Sequence, residues 1–475
     1  MTRIRQALLL ALFALVLPLT AGAGAATPRG DWPTWGNSTA RNGIATLSSV
    51  RANNAANLTL AWSRKLDSDS NAQPLYIRDA RGGEYISATA DGTLTAYAAT
   101  NGALRWRAAL GSQATHCQQL PKGVFGITGT PAYDRATQTV YAASHGVLYA
   151  LNAVTGAPQP GWPLTLPMDP THEHVWGALT IHGNALYVGT AAFCDIQPWK
   201  GRLIRVDLTS RATSEWDSVP TPGDSGGGGI FGWGGVSVDP KTGNVWAATA
   251  NAVGPDAPND GVYDAESIVE LTPTLQKLQS SHAPNMPLHG DYGFGSTPTL
   301  FHPSGCQPLA AAESKDGSLY VWQQAKLSLP PQQLQIAFPA TLFGLPAWDP
   351  RTQTLFLTTT NGFRSYASGL QAFRMNAACK LVLAWRQGLG SSLDSVPTVV
   401  NDTVMVNTGN GKLRVFSTAT GKPIVTLPTN GATFSPPIAI GGDVAATSYK
   451  QISVYRLTST APTKTTTATA TTTTP

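Results

Sequence analysis

Residues Asp91-Gly92-Thr93-Leu94-Thr95-Ala96-Tyr97-Ala98-Ala99-Thr100-Asn101-Gly102-Ala103-Leu104-Arg105-Trp106 decide the fold. A Gly turn opens a short strand with apolar ends, an Asn-Gly turn follows, and the next strand closes on a Trp. The four-residue core Leu94-Thr95-Ala96-Tyr97 recurs as Leu148-Tyr149-Ala150-Leu151, Leu203-Ile204-Arg205-Val206 and Ile268-Val269-Glu270-Leu271. It continues as Leu319-Tyr320-Val321-Trp322, Leu370-Gln371-Ala372-Phe373, Leu413-Arg414-Val415-Phe416 and Ile452-Ser453-Val454-Tyr455. Successive starts lie 54, 55, 65, 51, 51, 43 and 39 residues apart. His145-Gly146, Asp316-Gly317 and Asn410-Gly411 supply the leading turn elsewhere, Thr155-Gly156 and Thr420-Gly421 the trailing one, and Trp162, Trp216 and Trp385 the closing Trp. Further strands, such as Thr139–Ala143, Leu186–Gly189 and Thr354–Leu357, stand upstream of most copies.

A period of about 40–50 residues with several short strands per copy is the pattern of a β-propeller. One four-stranded blade cannot bury both faces alone, whereas a closed ring covers each blade with two neighbours. Eight copies therefore predict an all-β, eight-bladed β-propeller of four-stranded antiparallel blades, with separate β-sandwich domains as the competing reading. The last copy, Ile452–Leu457, has too little chain after it to supply an outer strand. Leu58–Leu66, which carries Trp62, is spare and is expected to complete that blade and close the ring.

Composition agrees. Of 475 residues only 12% are charged, while Gly (47) and Pro (35) are plentiful, which disfavours helical bundles and coiled coils. The net charge of +5 is too weak and scattered to argue for nucleic acid. Met1 to Ala25 reads as a signal peptide: Arg3 and Arg5, then apolar Ala7–Leu17, then a small-residue cleavage zone. Residues 26–458 form the expected propeller, and 459–475, nearly pure Thr, Ala and Pro, a disordered tail. No later segment is long enough to span a bilayer, so the expected location is secreted, periplasmic or cell-surface. Four cysteines in an oxidising compartment favour two disulfides, with three connectivities open. Joining neighbouring repeats favours Cys117–Cys194 and Cys306–Cys379.

The aromatic-Gly turn, the Thr-Gly turn and the closing Trp resemble the repeat of PQQ-dependent (quinoprotein) alcohol dehydrogenase-like propellers. Asp31-Trp32-Pro33-Thr34-Trp35-Gly36-Asn37 with Asn57–Trp62 looks like the N-terminal lead-in of that family. Phe231-Gly232-Trp233 through Asn251 is similar to the family's fourth-blade motif. The resemblance implies a pyrroloquinoline quinone (PQQ) stacked on Trp233 and a Ca2+ ligated by Asn251, since a flat conjugated ring wants an aromatic platform and calcium wants oxygens. Read from the residues alone, Trp233 is equally a core Trp and Asn251 a turn former. His289–Pro298 looks like the segment carrying the family's catalytic Asp, which makes Asp291 the implied general base on the substrate hydroxyl. Lys315-Asp316-Gly317 matches the turn whose cation reaches the quinone oxygens, with a plain hairpin turn as the alternative. Lys122-Gly123, five residues after Cys117, resembles the segment that touches the cofactor carboxylates.

The sequence also departs from that family. His116-Cys117 replaces the adjacent cysteines that cover the quinone, and Cys194 stands where a Glu ligates calcium. Asp195 is one residue along and serves as the implied second ligand if a bulge or loop turns it inward. Thr171-His172-Glu173-His174 has two His at same-face spacing, a metal pair or a loop entering blade three. Gly226–Gly229 lacks the Lys-Ser/Thr of a phosphate cradle and is read as a flexible lead into Trp233. The sequence thus points to a PQQ-dependent dehydrogenase acting on an alcohol or sugar hydroxyl and passing electrons to a separate acceptor, with no haem-attachment motif of its own. The alternative is a non-catalytic propeller scaffold that binds a protein or cell-surface partner.

Overall fold

The computed structural model of the chain describes residues 30–114, 123–192, 195–220, 226–253, 263–284, 292–338, 344–360, 368–391, 395–431 and 434–458. The segments read as signal peptide and tail lie outside them. Eight antiparallel blades follow one another. Blade one, from the inside out, is Leu75–Ile77, Glu84–Ala88, Thr93–Ala98 and Leu104–Ala109. Each of the eight repeat cores lies in the third strand of its blade. The upstream strands are the second: Thr139–Ser144, Ala185–Gly189 and Thr354–Thr359. Blade eight takes its outer strand from the start of the chain, Leu58–Lys65 pairing antiparallel with Gln451–Leu457, as the spare strand predicts.

Second and third strands are nearly continuously buried, because neighbouring blades cover both faces. The outer strands face water on one side, and four of them contain a closing Trp: Trp62, Trp106, Trp216 and Trp385, whereas Trp162 stands just before the outer strand of blade two. In three of them an extra residue precedes the Trp: Ala61, Arg105 and Ala384 are skipped in the ladder. Such a bulge swings the next side chain, here the indole, towards the adjoining blade. Trp62, Trp106 and Trp385 then donate Nε1–H to Ala99, Ala153 and Thr418 of the next blade at 3.0, 2.8 and 3.0 Å. The rings lie on Gly102, Gly156 and Gly421, where an added Cβ would approach to 2.5–2.6 Å. These glycines also have φ of 68–72°, so both the close approach and the left-handed backbone require Gly.

Inner strands leave an edge facing the central channel, and its N–H groups need partners. Residues 32–47 supply them by circling the inside of the ring. Tyr76 and Trp32 exchange two backbone bonds, and Tyr133 donates to Pro33. Val238, Leu300, Trp348, Val399 and Gly441 donate to Thr39, Ala40, Asn42, Gly43 and Leu47, all at 2.8–3.0 Å. Blade three is joined through Arg41, which is fully buried. Its guanidinium donates to Leu179 O, Thr180 Oγ1, Thr34 Oγ1, Trp35 O and Val236 O. This belt closes one end of the channel.

Cys306–Cys379 is a disulfide joining blades five and six, as expected; Cys117 and Cys194 lie outside the described residues. Among the described residues no helix is long and apolar enough to cross a membrane.

Candidate functional site

The loops that lead into the inner strands carry a recurring aromatic-Gly pair: Phe125-Gly126, Trp176-Gly177, Phe231-Gly232 and Phe294-Gly295, with Phe434-Ser435 as a variant. In an antiparallel blade these loops share one end of the ring with the turns between second and third strands, opposite the belt. Gly232 and Gly235 let backbone pack on backbone, since a Cβ there would meet Ser296 at 2.5 Å and Ala178 O at 2.0 Å. The loop is fixed further by Ala178 N–H donating to Trp233 O at 2.9 Å. Trp233 is thereby held at the axis in a cluster with Trp35, Ala178, Leu345 and Val396.

Trp233 is 6% exposed. Phe434 stacks on it with centroids 4.9 Å apart and planes 19° apart. Phe434 is half-buried, so it lies on the solvent side of the deeper indole. Trp176 meets Trp233 edge-on at 6.2 Å and continues into Phe125 and His174 at 5.3 and 5.1 Å. His174 is buried, its Nε2 paired with Thr128 Oγ1 at 2.6 Å, and burial pushes its pKa down to about 3. It is therefore neutral. His172 pairs instead with Asp169 at 2.6 Å, so the two histidines do not converge.

Two of the residues singled out from the sequence, Lys315 and Asn251, meet through Gly293. Lys315 is buried, with Nζ 5.0 Å from the Phe231 ring centroid, two residues from Trp233. Its N–H donates to Gly293 O at 3.2 Å. The α-carbon of Gly293 in turn lies against Asn251, whose nitrogen an added Cβ would meet at 2.6 Å. Asn251 is half-buried and its carbonyl accepts from Gly228 at 2.8 Å. Lys315-Asp316-Gly317 is at the same time a hairpin turn, closed by Ser314 N–H to Ser318 O. Asp195 is exposed, with φ of 54°. Asp291 and Lys122 lie outside the described residues, as do Cys117 and Cys194.

Gly226–Gly229 is packed rather than a flexible lead. Gly226–Gly227 pairs with Ala252–Val253, and a Cβ on Gly228 would meet Ser218 Oγ at 2.0 Å. Phe125, Trp176 and Phe434 were not singled out as site residues. The signal was the aromatic residue followed by Gly or Ser, which Trp176 and Phe434 carry into the axial cluster.

As they stand, the described residues do not fit a flat cofactor over Trp233, because Phe434 occupies the stacking face. Nor do they form a cation cage: no group of three His, Cys, Asp or Glu side chains converges among them. Asn251 is neutral and Asp195 is exposed, while calcium affinity depends on ligand charge.

The family model described as outer membrane protein assembly factor BamB, named PQQ_2, matches residues 39–216 and 382–465, more than half of the chain. The chain belongs to this family. No curated protein matches it. Among solved structures it is similar to the quinohemoprotein alcohol dehydrogenase ADHIIG from Pseudomonas putida HK5. The TM-score is 0.71 and the identity 14%, over 91% of this chain and 81% of that one. The quinohemoprotein alcohol dehydrogenase from Comamonas testosteroni gives 0.70 and 16%, over 90% and 80%. BamB from Moraxella catarrhalis gives 0.56 and 16%, over 84% and 99%. At such identities the likeness is one of fold.

Proposed function

We propose that this chain, a member of the PQQ_2 family, is an exported non-catalytic propeller that docks a protein or cell-surface partner through its loop face. The observation carrying this reading is the covered floor: Trp233 is buried and Phe434 stacks on it. A dehydrogenase needs that face for its cofactor, whereas a scaffold gains stability by filling it, since an aromatic pair adds roughly 0.5–1.5 kcal/mol beyond its buried area. On the same end of the ring Ile196, Tyr263, Phe338 and Tyr449 are 40, 52, 52 and 42% exposed. Large apolar groups on loops around a rigid ring are suited to partner contact. The leader read in residues 1–25 supports export.

The second reading is a PQQ-dependent dehydrogenase for an alcohol or sugar hydroxyl, favoured by the meeting of Asn251 and Lys315 at Gly293, with Lys315 over Phe231 in the Trp233 loop. In it PQQ would supply the hydride acceptor, with Asp291 as the base, Lys315 and Lys122 as the cationic contacts, and Asn251 and Asp195 as the Ca2+ ligands. Titration of the mature chain with PQQ, with and without calcium, separates the two. The scaffold reading expects no saturable quenching of Trp fluorescence at tens of micromolar PQQ. Calcium-dependent saturation that disappears in Trp233→Ala and Asn251→Ala replaces it with the dehydrogenase. For docking, photo-cross-linking from position 449 in the native envelope should yield one discrete adduct that Tyr263→Asp weakens.

A further inference from the structure

The residue opposite the first position of each repeat core occupies the same place in every blade. Read from the ladders, this position holds Ala88, Ala143, Gly189, Ala248, Glu313, Thr358, Asn407 and Thr447. In blades six, seven and eight its side chain donates across the seam to a backbone carbonyl of the next blade. Thr358 Oγ1 reaches Ser395 O at 3.0 Å, Asn407 Nδ2 reaches Ser435 O at 2.9 Å, and Thr447 Oγ1 reaches Ala72 O at 3.3 Å. Each acceptor lies three residues before an inner strand, at Thr398, Ile438 and Leu75. The corresponding residue facing blade five is Gly344, three before Ala347.

Glu313 is wholly buried, and neither carboxyl oxygen accepts a hydrogen bond from the described residues. Its carboxyl lies against Gly344, where an added Cβ would meet Oε1 at 2.2 Å. The Glu313 backbone cannot swing it out, because Ser296 Oγ both donates to its carbonyl and accepts from its N–H at 2.8 Å. A carboxylate offers no donor to a carbonyl, but a carboxylic acid does.

We propose that Glu313 is a proton-held latch between blades five and six, its neutral acid donating to the Gly344 carbonyl as Thr358, Asn407 and Thr447 do at their seams. Loss of the proton to solvent removes the donor and sets a carboxylate against a carbonyl, which loosens this seam. Burial pushes the carboxyl up to about 8, so the acid form is held at neutral pH. Among the described residues the charged groups on the surrounding elements are few. Lys315 and Asp316 follow in the same turn, and Asp316 accepts from Tyr320 at 2.6 Å. Strands Thr299–Phe301, Ser318–Gln323 and Thr354–Thr359 carry no charged residue, and Asp349 of blade six is paired with Arg351 at 2.9 Å.

The latch contributes fully below the unfolded carboxyl's range near 4.5, weakens as pH rises towards 8, and is lost above it. Thermal unfolding of the mature wild-type chain and of Glu313→Gln, followed from pH 5 to 9, tests the latch. The amide keeps a donor and cannot ionise. The two should melt together near pH 5, and Glu313→Gln should melt higher by more than about 3 °C at pH 8.5. Parallel curves across the range, or a variant that melts lower at pH 8.5, overturn the latch. Hydrogen exchange of the wild type at pH 6 and 9, corrected for intrinsic rates, gives a readout independent of the variant's folding. Protection should fall selectively in 309–323 and 344–359, and uniform change across all blades overturns the proposal.

Discussion

At the scale of single residues, the centre of the molecule is organised by two side chains whose roles differ in how far sequence discloses them. Arg41 is a cation buried among five neutral oxygen acceptors from five different residues. Burial pushes its pKa down to about 9, so it is still charged at neutral pH. Arg41→Met removes all the donors at once and leaves buried acceptors unpaired. Denaturant unfolding should show a loss of about 3–5 kcal/mol, and a loss below about 1 kcal/mol would show that water replaces the guanidinium. Trp233 could be singled out in the sequence because a Gly-rich motif and a fixed interval to Asn251 surround it. Phe434, its stacking partner, stands about 200 residues away, and no local pattern joins the two. Glu313 was not visible either, since its burial depends on Gly344 in the following blade. Local spacing reveals what one loop does; it says little about which loop meets which across a ring.

Between neighbouring elements, the bulge, the Trp and the glycine form one repeated joint. The sequence shows the Trp and the Thr-Gly or Asn-Gly turn but not that they belong to adjacent blades. Trp106 sits on Gly156, the turn of the following repeat, and not on Gly102 of its own. Trp106→Ala should cost about 3–5 kcal/mol in denaturant unfolding, as for a large core truncation with a lost hydrogen bond. Gly156→Ala attacks the same joint from the other side, with a Cβ 2.6 Å from the indole at φ of 72°, and should cost at least about 1–3 kcal/mol. Because both changes damage one contact, the double variant should lose less than the two single losses added together. Third strands were the easiest elements to read, being four apolar-ended residues after a turn. The inner strands were the hardest, at two or three residues each behind a Pro or Gly, too short for any period to show.

Taken as a whole, the ring is held by two features of chain order: the outer strand of blade eight comes from Leu58–Lys65, and the belt before it contacts every blade. The closing strand was legible because a repeat count of eight left one strand over and one blade incomplete. The belt was not, since residues 32–47 contain little regular structure and their partners are backbone N–H groups that no side chain announces. Ending the chain at Lys450 should abolish cooperative melting by unpairing Leu58–Lys65, whereas ending it at Thr458 should leave the melting temperature unchanged; circular dichroism on both variants checks this. The same arrangement sets a timetable for biosynthesis. Strand 58–65 is made early, but its partner at 451–457 follows almost 400 residues later. At a synthesis rate of about 5–20 residues per second, the wait is roughly 20–80 s. For that interval the edge of strand 58–65 has no partner and blade eight cannot form, so closing the ring is the last event that the growing chain can complete.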